Sequence, residues 1–171
     1  RLKRMFNDEY EVKNELYAGD ISFIGSMYNE KHNLYDRLCG VNDYTKGYLD
    51  AIMKVQRSIY GYFFLEDMLK GDVLDEMMRV CPVKPNEDGV ETVQYVYANY
   101  FLARRMATDE RTDILSRVGR ELGRENKINL YTPDASVRFI NVNNKGTVDY
   151  YNEMPYVFRN SRINLNITPR S

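Results

Sequence analysis

Short apolar, β-branched runs set far apart, with helical spacing between them, constrain this chain more than any other feature. The runs are Ile21-Ser22-Phe23-Ile24, Lys127-Ile128-Asn129-Leu130-Tyr131-Thr132 and Ile163-Asn164-Leu165-Asn166-Ile167. The first stops at Gly25-Ser26 and reads as a buried strand entering a tight turn. Pro133-Asp134 breaks the second, and the third alternates cleanly, giving a strand with one apolar face. Strands joined through helices need crossover connections, and crossovers make a parallel sheet. The expected fold class is therefore α/β. It is a Rossmann-like parallel sheet of few strands, with a large helical insert over residues 43–107 after the first strand. Residues 1–19 read as a linker or N-terminal extension, and 20–171 as a partial domain.

The segments between the strands carry their own signals. Tyr28 to Leu38 can form a helix. Residues 44–70 read as helical throughout, because Tyr48, Ile52, Val55, Ile59 and Phe63 recur at steps of three and four, with Gly61 able to bend or divide the run. Asp72 is placed to cap a helix through Met78 that ends at Cys81-Pro82. Asp88-Gly89-Val90-Glu91 has the form of a capping box before a helix bearing Val93, Val96, Tyr97, Tyr100 and Phe101. Thr108 or Asp109 is expected to start another helix, with Ile114, Leu115, Val118 and Leu122 as its buried stripe and Gly123 as its stop. Val137 to Ile140 reads as an extended piece and Asn143 to Gly146 as a turn. Asp149 can cap a helix from Tyr150 to Asn160, which must start late because Pro155 is tolerable only near a first turn.

Composition narrows the function. The chain has 171 residues, 43% hydrophobic, enough for one sizeable core. Its net charge of −1 argues against a general nucleic-acid binder, which needs surplus Lys and Arg to displace counterions. No apolar run reaches the length of a membrane span, and the Arg1-Leu2-Lys3-Arg4-Met5 start is not a secretory signal. Cys39 and Cys81 lack metal-type spacing and read as reduced cytoplasmic thiols. With His32 as the sole histidine, neither a histidine-based metal site nor a Ser-His-Asp triad is expected.

Ligands of open parallel sheets bind at the carboxyl ends of the strands. One such loop is Gly25-Ser26-Met27, either a plain strand-to-helix turn or a place where backbone approaches a phosphate. A second is Tyr131-Thr132-Pro133-Asp134, whose Tyr could stack on a base or simply fill core. The third is Thr168-Pro169-Arg170-Ser171, where hydroxyls and an Arg suit a diphosphate or a sugar and equally suit a polar tail. No pair of carboxylates identifies itself for acid–base work. A receiver-like phosphorylation domain would need an acidic pocket where this chain has Gly25-Ser26.

Asp20-Ile21-Ser22-Phe23-Ile24-Gly25-Ser26-Met27-Tyr28 resembles the opening of bacterial glycosyltransferase-like proteins related to the spore-maturation glycosyltransferases. Lys46-Gly47-Tyr48-Leu49-Asp50, with Gln56 and Ile59-Tyr60-Gly61, is similar to a helical insert of the same proteins. The tail resembles them too, in Gly146-Thr147-Val148-Asp149-Tyr150, Glu153-Met154-Pro155-Tyr156-Val157-Phe158 and Ser161 to Thr168. More distantly, the tail is similar to the stretch of GT-B glycosyltransferases that runs from a loop beside the donor's base to the strand approaching its diphosphate.

The resemblance implies a C-terminal donor-binding domain with a nucleotide-diphosphate sugar as ligand, no cofactor and no bound metal. By position, Gly146 and Val148 sit near the base, Gly25 and Ser26 line the cleft, and Thr168, Pro169, Arg170 and Ser171 approach the phosphates or sugar. The family continues into a Gly-rich loop and an acidic residue, and has an N-terminal acceptor domain, none of which these residues include. The expectation is a catalytically inactive part of an active parent, with weak or absent donor binding of its own. The competing reading is a non-catalytic interaction or sensory module that docks a partner through its helical insert.

Overall fold

A computed structural model describes residues 15–29, 33–87 and 89–168. It is α/β, with a four-stranded, all-parallel sheet in the order β3-β2-β1-β4. The strands are β1 (Gly19–Ile24), β2 (Ile128–Tyr131), β3 (Val142–Asn144) and β4 (Ser161–Leu165). The helices are α1 (Asp43–Gln56), α2 (Leu65–Met68), α3 (Gly71–Val80), α4 (Val93–Val96), α5 (Ala103–Leu122) and α6 (Met154–Arg159). A 3-10 turn covers Leu34–Leu38, and Tyr97–Leu102 joins α4 to α5 with π-helical winding. Among the described residues, no helix is long and apolar enough to cross a membrane.

The chain divides into two compact units. In one are the described residues as far as Met27, together with Arg111–Ile167; in the other are those of Tyr28–Glu110, together with Thr168.

The first unit is built on the sheet. Register pairs Ile21 with Ile128 and Ile163, and Phe23 with Leu130 and Leu165, so these side chains share one face. Phe23 and Leu130 pack there with Leu115 of α5, Met27 and Ile167. The other face carries Ser22, Ile24, Asn129 and Tyr131; Tyr131 packs with Tyr17 and with Val157 of α6. Gly119 and Gly123 let α5 come close to the chain entering β3. A Cβ on Gly119 would lie 2.2 Å from the Ile140 carbonyl oxygen, and one on Gly123 would lie 2.4 Å from the Asn141 Cβ. Gly123 does follow the last residue of α5, as expected, but close approach is the reason for a glycine there.

The second unit is helical. Asn42 caps α1 by accepting from the Thr45 N–H at 2.8 Å, and Leu49, Ile52 and Met53 turn inward. The single helix expected over 44–70 ends at Gln56. This side chain is 1% exposed; its Nε2 donates to the Tyr62 carbonyl (2.9 Å) and its Oε1 accepts from the Phe64 N–H (2.9 Å). The loop it organises turns at Gly61, whose φ is +83°. Val55 and Ile59 fit the buried spacing but are 51% and 37% exposed. The α3 helix begins at Gly71 with no side-chain cap, so Asp72 lies inside its first turn.

The cap before α4 is Thr92, which accepts from the Tyr95 N–H at 3.0 Å; Asp88 of the expected box lies outside the described residues. No new helix starts at Thr108. Its hydroxyl donates back to the Arg104 carbonyl (3.0 Å) in the middle of α5. Leu122 at the end of that helix is 45% exposed. The expected turn at Asn143 is strand, because β3 pairs with Ile128–Leu130. The α6 helix starts late, at Met154, with Pro155 in its first turn. The strand expected at 163–167 begins at Ser161, and Ile163 on this edge is 53% exposed.

Candidate functional site

The sheet grows outward from β1 through β2 to β3, and then the chain returns to pair β4 with the opposite side of β1. The strand order therefore reverses between β1 and β4. In open α/β sheets the crevice beyond the carboxyl ends of such a pair is where ligands bind. Here it is edged by Gly25-Ser26-Met27 after β1 and by Asn166-Ile167 after β4.

The β1 end is fixed first by the ladder, since the Gly25 N–H donates to the Tyr131 carbonyl at 3.0 Å. Gly25 sits over the Phe23 ring, and a Cβ there would stand 3.0 Å from Cζ of Phe23. Met27 (2% exposed) and Ile167 (9%) turn their side chains into the core with Phe23 and Leu115.

Arg111, on α5, then joins the two strand ends. It is 6% exposed and its guanidinium lies 5.5 Å from the centre of the Phe23 ring. Nε and Nη2 donate to the Ile167 carbonyl at 3.1 and 2.8 Å, and Nη1 donates to the Ser26 carbonyl. This residue is not among those singled out from the sequence. The available signal was its place four residues before Leu115, on the inward stripe.

The other expected positions fall as follows. Gly25 and Ser26 edge the crevice. Tyr131 is 3% exposed and packed against Tyr17 and Val157, so its ring is enclosed instead of presented to a base; burial pushes its hydroxyl pKa up. Thr132 is fully enclosed, and its Oγ1 has no hydrogen-bond partner among the described residues. Gly146 turns the chain after β3 with φ +79°, its N–H donating to Asn144 Oδ1 at 3.0 Å, and nothing stands within 4 Å of where a Cβ would be. Val148 packs against the Tyr17, Tyr131 and Val157 cluster. Thr168 is exposed just past Ile167; Pro169, Arg170 and Ser171 lie outside the described residues. β3 and β4 are the two edges of the sheet, so three strand spacings, roughly 14 Å, separate the Gly146 end from the Ile167 end.

Below the carboxyl ends, on the α6 side, polar groups are built in. Tyr17 donates its hydroxyl to Glu153 Oε1 at 2.8 Å, and its ring stacks on Tyr156 with centroids 5.9 Å apart. Burial, then the bond to the Glu153 carboxylate, pushes the Tyr17 pKa up to about 12. The side chains of Asp149 and Glu153 both accept from backbone N–H groups ahead of α6. Asp149 Oδ1 accepts from the Asn152 N–H (2.7 Å), and Glu153 Oε2 accepts from the Asp149 N–H (2.6 Å). Among the described residues, no group of three or more His, Cys, Asp or Glu is placed to hold a metal ion. Comparison with models of protein families, with curated proteins and with solved structures gave no match.

Proposed function

We propose that this chain forms the donor-binding wall of a GT-B glycosyltransferase that moves a sugar from a nucleotide diphosphate to a glycan, protein or lipid acceptor. The supporting observation is the reversal of strand order between β1 and β4, with a Gly25-Ser26 turn at the β1 end. The resemblance of residues 20–28 and 146–168 supplies the choice of ligand among those a parallel sheet can bind.

In the transfer, the bond from the sugar's anomeric carbon to the diphosphate oxygen breaks and its electron pair leaves with the diphosphate. The acceptor oxygen bonds to that carbon and gives up its proton. The part played by these residues is to position the donor and offset charge on the leaving diphosphate. The Met27 N–H and the Ser26 hydroxyl after β1 border the diphosphate, and Gly146 and Val148 border the base; the resemblance adds a hydroxyl from Thr168 and a charge from Arg170. The acceptor and any general base belong to a separate domain of the parent enzyme. Both cysteines are unpaired, in keeping with a cytoplasmic setting.

A second reading, a docking module without catalysis, draws on the exposed Tyr44 (71%), Tyr60 (79%) and Tyr62 (61%) of the helical unit. Calorimetric titration of the intact parent with UDP, GDP and their sugars separates the two. Binding with Kd at or below about 1 mM, some −4 kcal/mol, is expected of a donor site. Folded parent protein that gives no heat with any of them sinks the donor reading.

A further inference from the structure

Arg111 is a buried cation whose donors reach two different strand-end segments, Ser26 and Ile167, neither of them a helix or sheet partner of its own. In sequence these contacts lie 85 and 56 residues away. Satisfying two carbonyls is a task a neutral amide can perform. A guanidinium adds two things: a planar fork that holds several acceptors in fixed directions, and a charge that persists at any physiological pH.

The direction in which it pulls matters. A trans peptide is planar, with its C=O and N–H pointing opposite ways. Turning the Ser26 carbonyl inward onto Nη1 therefore turns the Met27 N–H of the same peptide away from Arg111. Arg111 lies on the α5 side with Phe23 and Leu115, so that N–H is directed away from the α5 side of the strand end. A backbone N–H held in a fixed direction beside a fixed positive charge favours an anion.

We infer that Arg111 is the positioning residue of the β1–β4 crevice, clamping the Ser26 and Ile167 carbonyls so that the β1 turn presents backbone N–H to a diphosphate. The identity of the anion rests on the donor-binding reading; the clamp itself does not. The Gly25 N–H, bonded to the Tyr131 carbonyl, is the adjacent reporter, because that ladder end frays when the turn beyond it is released. Lysine keeps the charge, but its donors radiate from one point on a flexible stem, so it does not hold the two carbonyls in the fixed directions of the fork.

The test uses the intact protein as wild type, Arg111→Lys and Arg111→Met, with two readouts: amide hydrogen exchange at Gly25 relative to Phe23, and calorimetry with UDP and with inorganic pyrophosphate. The expectation for both variants is Gly25 exchange about tenfold faster or more, Phe23 exchange within about twofold of wild type, and affinity for UDP at least about tenfold weaker. If Arg111→Met fails to fold, Arg111→Lys decides. Gly25 exchange at the wild-type rate in the folded variants overturns the clamp. Faster exchange with UDP affinity unchanged overturns its role in binding. Wild-type protein that binds neither UDP nor pyrophosphate overturns the donor reading instead, and leaves the clamp to be judged by exchange alone.

Discussion

Replacing Gly119 by alanine sets two effects against each other, and the structure decides the sign. Gly119 lies within α5, and in an open helix interior Gly→Ala gains about 1 kcal/mol from propensity and reduced unfolded-state freedom. Here the new Cβ would meet the Ile140 carbonyl oxygen at 2.2 Å and Val142 Cγ2 at 2.9 Å. Restoring ordinary contact needs a shift of roughly 1 Å in the backbone of 140–142. That segment cannot move alone. Asn141 donates its Nδ2 to the Gly119 carbonyl at 3.3 Å, and Val142 is in register with Ile128 in β2. Overpacking of this kind costs about 1–3 kcal/mol, sometimes more, and forfeits the hydrogen bond as well. The clash wins, and Gly119→Ala is expected to be net destabilising by about 1–3 kcal/mol. Gly47 in α1 is the control: nothing stands within 4 Å of its Cβ position, so Gly47→Ala should gain about 0.5–1 kcal/mol. Equilibrium urea unfolding followed by circular dichroism measures both. Gly119→Ala matching or exceeding the wild-type midpoint would refute the close approach of α5 to the β3 segment.

Two predictions concern pH. The Tyr17 pKa is raised to about 12, so its neutral form stabilises the fold fully below the ordinary pKa of 10, and this is lost as pH climbs towards 12. Tyr17→Phe should be the less stable protein near neutrality, and its deficit in urea should shrink across that alkaline window; a deficit constant in pH would refute the bond to Glu153. The Glu76 pKa is held down to about 2, first by the Arg79 guanidinium and then by the Asn42 N–H. Its charged form stabilises above the ordinary 4.5, and the effect fades as pH falls towards 2. Glu76→Gln should therefore lose stability at neutral pH and converge on wild type by about pH 2. No convergence in acid urea titrations would show that the carboxylate is not tied to Arg79.

What was legible in the sequence follows from how local each signal is. β1 and β2 could be read because apolar period-two runs end at Gly25 and Pro133, and the parallel sheet followed from the helices between them. The late start of α6 could be read from Pro155, since a missing N–H is a local fact. The end of α1 could not. Periodicity continues through Val55 and Ile59, while the helix is stopped by Gln56 bonding forward to Tyr62 and Phe64. β3 was hidden because Val142-Asn143-Asn144 has turn composition and becomes strand only by pairing with β2. At the site, Gly25 and Ser26 announced themselves as a turn after a strand. Arg111 did not, because a cation inside a helix looks like surface until its distant carbonyl partners are known. Tyr131 ended a strand as expected, but which face it takes depends on register, and that put it inside.

The central place of β1 carries a consequence for how the chain comes to be folded. β1 precedes all its partners: the Ser22 hydroxyl meets Asn164 at a sequence distance of 142, and Asn129 reaches the Ala18 carbonyl across 111. At ordinary synthesis rates of about 5–20 residues per second, roughly 7 to 30 s pass between the emergence of β1 and that of β4. During that interval Tyr28–Glu110, a compact unit with its own core, is complete, while β1 still has both edges open. The strand that edges the proposed site is thus also the one exposed longest during synthesis, and the one a chaperone has most reason to hold.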